Sequence, residues 1–94
     1  MNADEFEAHM AETGFSKPIP GQYEPNRFND SHTHPFEVRG LIVSGEMTIT
    51  PVGGTAKRYG VGEIFVMPLA AQHREQVGPE GCAYLWGKRE TPTG

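Results

Sequence analysis

Apolar and polar residues along this chain change rhythm at Gly14. Before it, Asp4 to Thr13 carries Phe6 and Met10 at i and i+4, one face of a helical turn. Asn2 stands where an N-cap sits, and Gly14 where a C′ glycine ends a helix. One short helix packed on something larger is expected. From Gly14 on, Pro18, Pro20, Gly21 and Pro25 exclude a helix, so extended chain with an edge strand is expected through Phe28. Asn29-Asp30 reads as a turn. Val38 to Ser44 is strand-like, Gly45 interrupts it, and Glu46 to Thr50 continues with period-two alternation. Gly53-Gly54 signals a hairpin, and Thr55 to Tyr59 a return strand. Glu63 to Met67, Gln72 to Val77 and Cys82 to Lys88 complete the set, the last two separated by Gly78-Pro79-Glu80-Gly81. Seven or eight short strands with regular turn signals predict an all-β sandwich or barrel.

Alternation also proposes inward faces. Met47 and Ile49 oppose Thr48 and Thr50, Ile64 and Val66 oppose Phe65 and Met67, and Tyr84 and Trp86 share parity with Cys82. These inward sets read as core or dimer contact rather than as a substrate platform.

Composition supports this picture. Twenty of the 94 residues are Gly or Pro, against an average near ~12%, and turn-rich chains go with short strands. The net charge of −4 removes the counterion-release term that drives nucleic-acid binding, so no nucleic-acid partner is expected. No apolar run approaches the ~18 residues of a membrane span. The N-terminus lacks a basic cluster and an apolar stretch, and Cys82 stands alone, so a cytoplasmic protein with one semi-apolar thiol is expected.

The candidate chemistry is histidine. His32 and His34 sit at i and i+2, which in a strand share one side and can converge on an ion. Glu37 follows three residues on. His73 stands alone after Pro68, and only a fold could bring it to the pair. His-X-His also occurs in ordinary surface loops, and a lone strand histidine is commonly a satisfied polar residue. His9 reads as a solvated helix residue. Arg39 holds a carboxylate substrate if it faces inward; the plainer reading is a surface arginine paired with a glutamate. No P-loop, CxxC or Ser–His–Asp ordering is present.

His32-Thr-His-Pro-Phe-Glu-Val-Arg-Gly-Leu-Ile-Val-Ser-Gly45 resembles the first cupin motif, an HxH pair and a glutamate before a strand ending in glycine. Gly62-Glu-Ile-Phe-Val-Met-Pro68-Leu-Ala-Ala-Gln-His73 resembles the second, with Gly62, Pro68 and His73 in register and Ala70 where the family has glycine. The resemblance covers roughly Gly21 to Arg89. It implies a single-domain jelly-roll barrel (a double-stranded β-helix) over 1–94, with the N-terminal helix in 1–14, the barrel in 15–89 and a frayed polar tail in 90–94. It further implies a divalent transition metal (Fe, Mn, Ni, Co, Cu or Zn) on His32, His34 and His73, with Glu37 as the carboxylate. Glu37 departs from the family's spacing: Val38 holds the expected position, and a regular strand turns Glu37 away from the histidines. A bulge near Pro35-Phe36 would restore it; otherwise the site is three histidines plus water. Glu75, sharing parity with His73, is a weaker candidate.

Three functional readings follow. The first is a metal-binding cupin acting on a small molecule at an open metal position, as dioxygenase, isomerase or lyase. The second is a sensing module that binds a small ligand without turnover, and the third a structural protein whose histidines satisfy one another. A homodimer is expected, because a thin barrel gains by covering one sheet face and cupins commonly pair this way.

Overall fold

Two strands of this protein are too long to be straight. The computed structural model describes residues 1–68 and 70–90; Leu69, residues 91–94 and the side chains of Ser31 and His32 lie outside the described set, and with them most of the tail expected to fray. The chain order is α1 (Ala3–Glu12), β1 (Ile19–Tyr23), β2 (Phe28–His32), β3 (Glu37–Pro51), β4 (Lys57–Tyr59), β5 (Ile64–Met67) and β6 (His73–Arg89). At ~3.3 Å per residue a straight β6 would run about 56 Å, yet the longest dimension of the molecule is 39 Å.

Both long strands therefore bend, and glycine sets the place. β3 and β6 pair antiparallel from Glu37↔Arg89 to Pro51↔His73, with register shifts between Ile42 and Ser44 and between Gly45 and Met47. Gly45 and Gly81 have φ of +73° and +81°. A Cβ on Gly45 would lie 1.9 Å from the Gly81 carbonyl oxygen, so the backbones meet only because Gly45 carries no side chain. The segments read from sequence as separate strands, 72–77 and 82–88, are thus one bent strand. Gly78-Pro79-Glu80-Gly81 lies inside β6 and is not a turn between two strands.

The bend makes two four-stranded halves. The first half of β3 pairs with β5 and the second with β4. The first half of β6 pairs with β2 and the second with β1. The inner faces meet in a core of Val38, Ile42, Met47, Ile49, Phe65, Met67, Val77 and Cys82. The expected inward pair on β5 is reversed: Phe65 and Met67 are buried, and Val66 is exposed. Register supplies the reason, since Phe65 pairs with Gly40 and its ring occupies the space a Cβ there would need, 2.1 Å from the ring. The turn expected at Asn29-Asp30 falls earlier, around Pro25-Asn26, where Asn26 has φ +61°; Asn29 and Asp30 lie inside β2.

Helix α1 covers the outer face of one half. Asn2 and Glu5 form a reciprocal capping box. Phe6 and Met10 are fully buried with Phe15 and Leu41 in a second cluster. The helix is pinned from the sheet by Arg89, whose Nη1 donates to the Thr13 carbonyl at 2.7 Å.

Candidate functional site

At the end of the barrel opposite the bend, two loops carry the histidines. One joins β2 to β3 and holds His34; the other leads from β5 into β6 and ends at His73. The Ala70 amide donates to the His34 carbonyl at 3.0 Å and the Ala71 amide to the Pro68 carbonyl at 3.2 Å. Ala70 adopts φ +58° to do this. It occupies the glycine position of the second motif, and glycine reaches this left-handed conformation more readily than alanine.

The His34 and His73 ring centres are 5.6 Å apart, tilted by 36°. His73 is buried, and its Nδ1 lies 3.2 Å from the Ala71 carbonyl. Donation there fixes the tautomer and puts the lone pair on Nε2, the usual way a ligating imidazole is oriented. The backbone of His32 pairs with that of His73; the His32 side chain lies outside the described residues.

Glu75 and Glu37 lie on opposite faces of the barrel wall. Along β6, burial alternates through His73, Glu75 and Val77, so Glu75 shares the inner face with His73. It is 2% exposed, and Asn29 Nδ2 donates to its Oε1 at 3.1 Å. Glu37 opens β3 opposite Arg89 with no register shift between them and Val38. Its carboxylate accepts from Arg89 Nη2 at 3.0 and 3.1 Å. Val38 lines the interior, and parity sends Glu37 outward. No bulge reverses this.

Arg39 also faces outward. Its guanidinium lies over Phe15, and Nη1 is 2.7 Å from His9 Nε2. Arginine is always the donor, so His9 accepts. Among the described residues Arg39 pairs with His9 rather than with a glutamate, and His9 is half-buried; the contact ties α1 to the barrel.

Between the sheets lies a cavity of about 160 Å³ whose lining includes His34, Glu75, Tyr23 and Tyr84, with apolar walls from Val38, Met47, Phe65, Met67 and Trp86. The Tyr23 and Tyr84 ring centres lie 5.2 Å apart; burial raises both phenol pKa values, and the Glu75 carboxylate adds to the effect. Burial, with Glu75 again contributing, pushes the Cys82 thiol up to about 11. That thiol is no nucleophile at neutral pH. Tyr23 and Asn29 carried no sequence signal, because their place in the site depends on cross-strand register.

No protein-family model matches the chain, and no curated protein matches its sequence. Solved structures do match it. A protein of unknown function from Rhizobium leguminosarum superposes with a TM-score of 0.71 at 15% identity over 92% of each chain. An RmlC-like cupin from Shewanella frigidimarina gives 0.66 at 17% identity, over 82% of this chain and 68% of that one. A protein with a double-stranded β-helix domain from Klebsiella pneumoniae gives 0.67 at 20% identity, over 86% and 72%. Likeness at such identities speaks for architecture, and with the bent, shared strands it establishes that this chain has the cupin fold, a small double-stranded β-helix.

Proposed function

We propose that this cupin domain binds a divalent transition metal at the end of its barrel and takes a small molecule into the cavity beside it. The observation that carries the reading is the approach of His34 and His73, from separate loops, to 5.6 Å between ring centres. Two imidazoles sharing an ion through bonds of about 2.1 Å hold their ring centres roughly 5 Å apart, so these rings fit a common ion after a small adjustment. Among the described residues, no three His, Cys, Asp or Glu side chains already form such a group. In this reading His32 is the third imidazole. Glu75 supplies the carboxylate in place of Glu37, which is committed to Arg89. When bound, the ion supplies Lewis acidity and an open coordination position for a small substrate. Fe, Mn, Ni, Co, Cu and Zn all suit the donor set.

Elemental analysis of untagged protein tests the reading. About one ion per chain is expected after loading, with occupancy falling at least tenfold in His34→Ala and His73→Ala. Full occupancy in both variants overturns it. Chelation lowers Tm if the ion is held by the folded state alone. A screen for oxygen uptake or product with metal restored separates a dioxygenase, isomerase or lyase from the second reading, ligand binding without turnover.

No helix among the described residues is long and apolar enough to cross a membrane. Cys82 is a buried free thiol. Val43 and Val66 are 49% and 44% exposed on the barrel's outside, which supports a homodimer; a monomer in sedimentation equilibrium at micromolar concentration refutes that part.

A further inference from the structure

We propose that Phe36 is a positioning residue for His34, its ring stacked on the imidazole so that the imidazole plane is set beside His73 before an ion arrives. This rests on the metal reading above, and it names what aims one of the two described imidazoles.

The backbone alone leaves that plane free. Pro35 follows His34; its φ is locked by the ring, and it steers the residue before it away from helical backbone. The Ala70 amide donates to the His34 carbonyl at 3.0 Å, which pins the main chain between the two loops. The outer torsion of a histidine side chain is nonetheless broad, because it joins an sp³ to an sp² atom. The lone pair that would bind an ion lies in the imidazole plane, so that torsion decides where it is aimed.

Phe36 restrains it. The Phe36 ring centre lies 5.4 Å from that of His34, with 22° between the planes, within the range of stacked aromatic pairs. Phe36 is itself half-buried against the barrel core, and Lys88 Nζ lies 4.8 Å from its ring centre, close enough for a cation–π contact. The ring is therefore held from more than one side and can act as a wall for the imidazole. His73 is oriented by a different device, its Nδ1 lying 3.2 Å from the Ala71 carbonyl. A stacked pair of this kind corresponds to about two- to twelvefold in a binding constant.

Two substitutions in the full chain separate stacking from packing. Phe36→Tyr keeps a ring, and Phe36→Leu keeps apolar bulk without one; Phe36→Met replaces the leucine variant if that one does not fold. Co(II) is the probe ion, added to protein stripped with EDTA and followed by its visible spectrum in competition with a chelator. Phe36→Tyr is expected to bind within about twofold of wild type, and Phe36→Leu about two- to twelvefold more weakly. In the metal-free protein, 13C relaxation of the histidine rings is expected to show more motion of the His34 ring in Phe36→Leu than in Phe36→Tyr. His9, on α1, should be unchanged and serves as internal control. A residue that only fills space would be replaced by leucine without loss. Leucine matching tyrosine in His34 ring motion, leucine binding Co(II) as tightly as wild type, or His9 responding as much as His34 overturns the inference. Wild-type protein that takes up no Co(II) defeats the metal reading alone, and the ring-motion measurement then decides the role of Phe36.

Discussion

Ala70→Gly should make this protein more stable, although it removes a methyl group. Ala70 sits at φ +58°, where a Cβ crowds the following carbonyl at a cost of roughly 1–2 kcal/mol. Its side chain is exposed, so no packing is lost. Glycine offsets part of the gain, because the unfolded chain becomes freer by about 0.5–1 kcal/mol. The balance is a stabilisation of about 0.5–1 kcal/mol, which in a domain of this size raises Tm by about 2–8 °C. The amide that donates to the His34 carbonyl is retained. Thermal unfolding by circular dichroism, on metal-free protein at one fixed concentration, measures the shift, since bound metal or association would also move Tm. Ala70→Val should move Tm the other way, because a β-branched residue tolerates the left-handed region least. A glycine variant that melts at or below wild type would refute the argument from backbone conformation.

Other perturbations test the bend, the core and the buried acids. Gly45→Ala should cost at least about 2 kcal/mol, because it joins a left-handed penalty to a clash with the Gly81 carbonyl; a urea midpoint close to wild type would contradict the shared-bend geometry. Phe65→Ala should lower stability by about 3–5 kcal/mol, while Val66→Ala, on the exposed face, should change it by under about 0.5 kcal/mol. Equal effects would restore the opposite inward face. Cys82 ionises at an ordinary 9.0 when unfolded and near 11 when folded, so the native state holds its proton longer. The stability this gives is complete below pH 9 and is lost as pH rises to about 11. Tyr23 and Tyr84 are raised as well and act in the same direction. Urea midpoints from pH 8 to 11 should fall, and iodoacetamide labelling at pH 8 should track unfolding; a flat midpoint and fast native labelling would show an accessible thiol.

Local features carried much of the architecture. Asn2, Phe6 and Met10 mark a capped, one-faced helix at Ala3–Glu12, within a residue of the expected bounds, because capping and i,i+4 spacing act within one or two turns. Gly45 marked a bend inside one continuous strand, Glu37–Pro51. Whether such a glycine ends a strand or bends it depends on the backbone packed against it, and the Gly81 carbonyl that meets Gly45 lies far away in sequence.

The amino-acid order alone determined the β class, the helix and the motif positions of His32, His34 and His73. Tertiary structure decided which parity faces inward, because Phe65 needs the space left by Gly40 across the sheet. It also decided that Glu75 lies inside with Asn29 while Glu37 is held outside by Arg89. Parity is a property of one strand, but the inner face and the partner of a charge are properties of pairs, and pairs exist only once register is set.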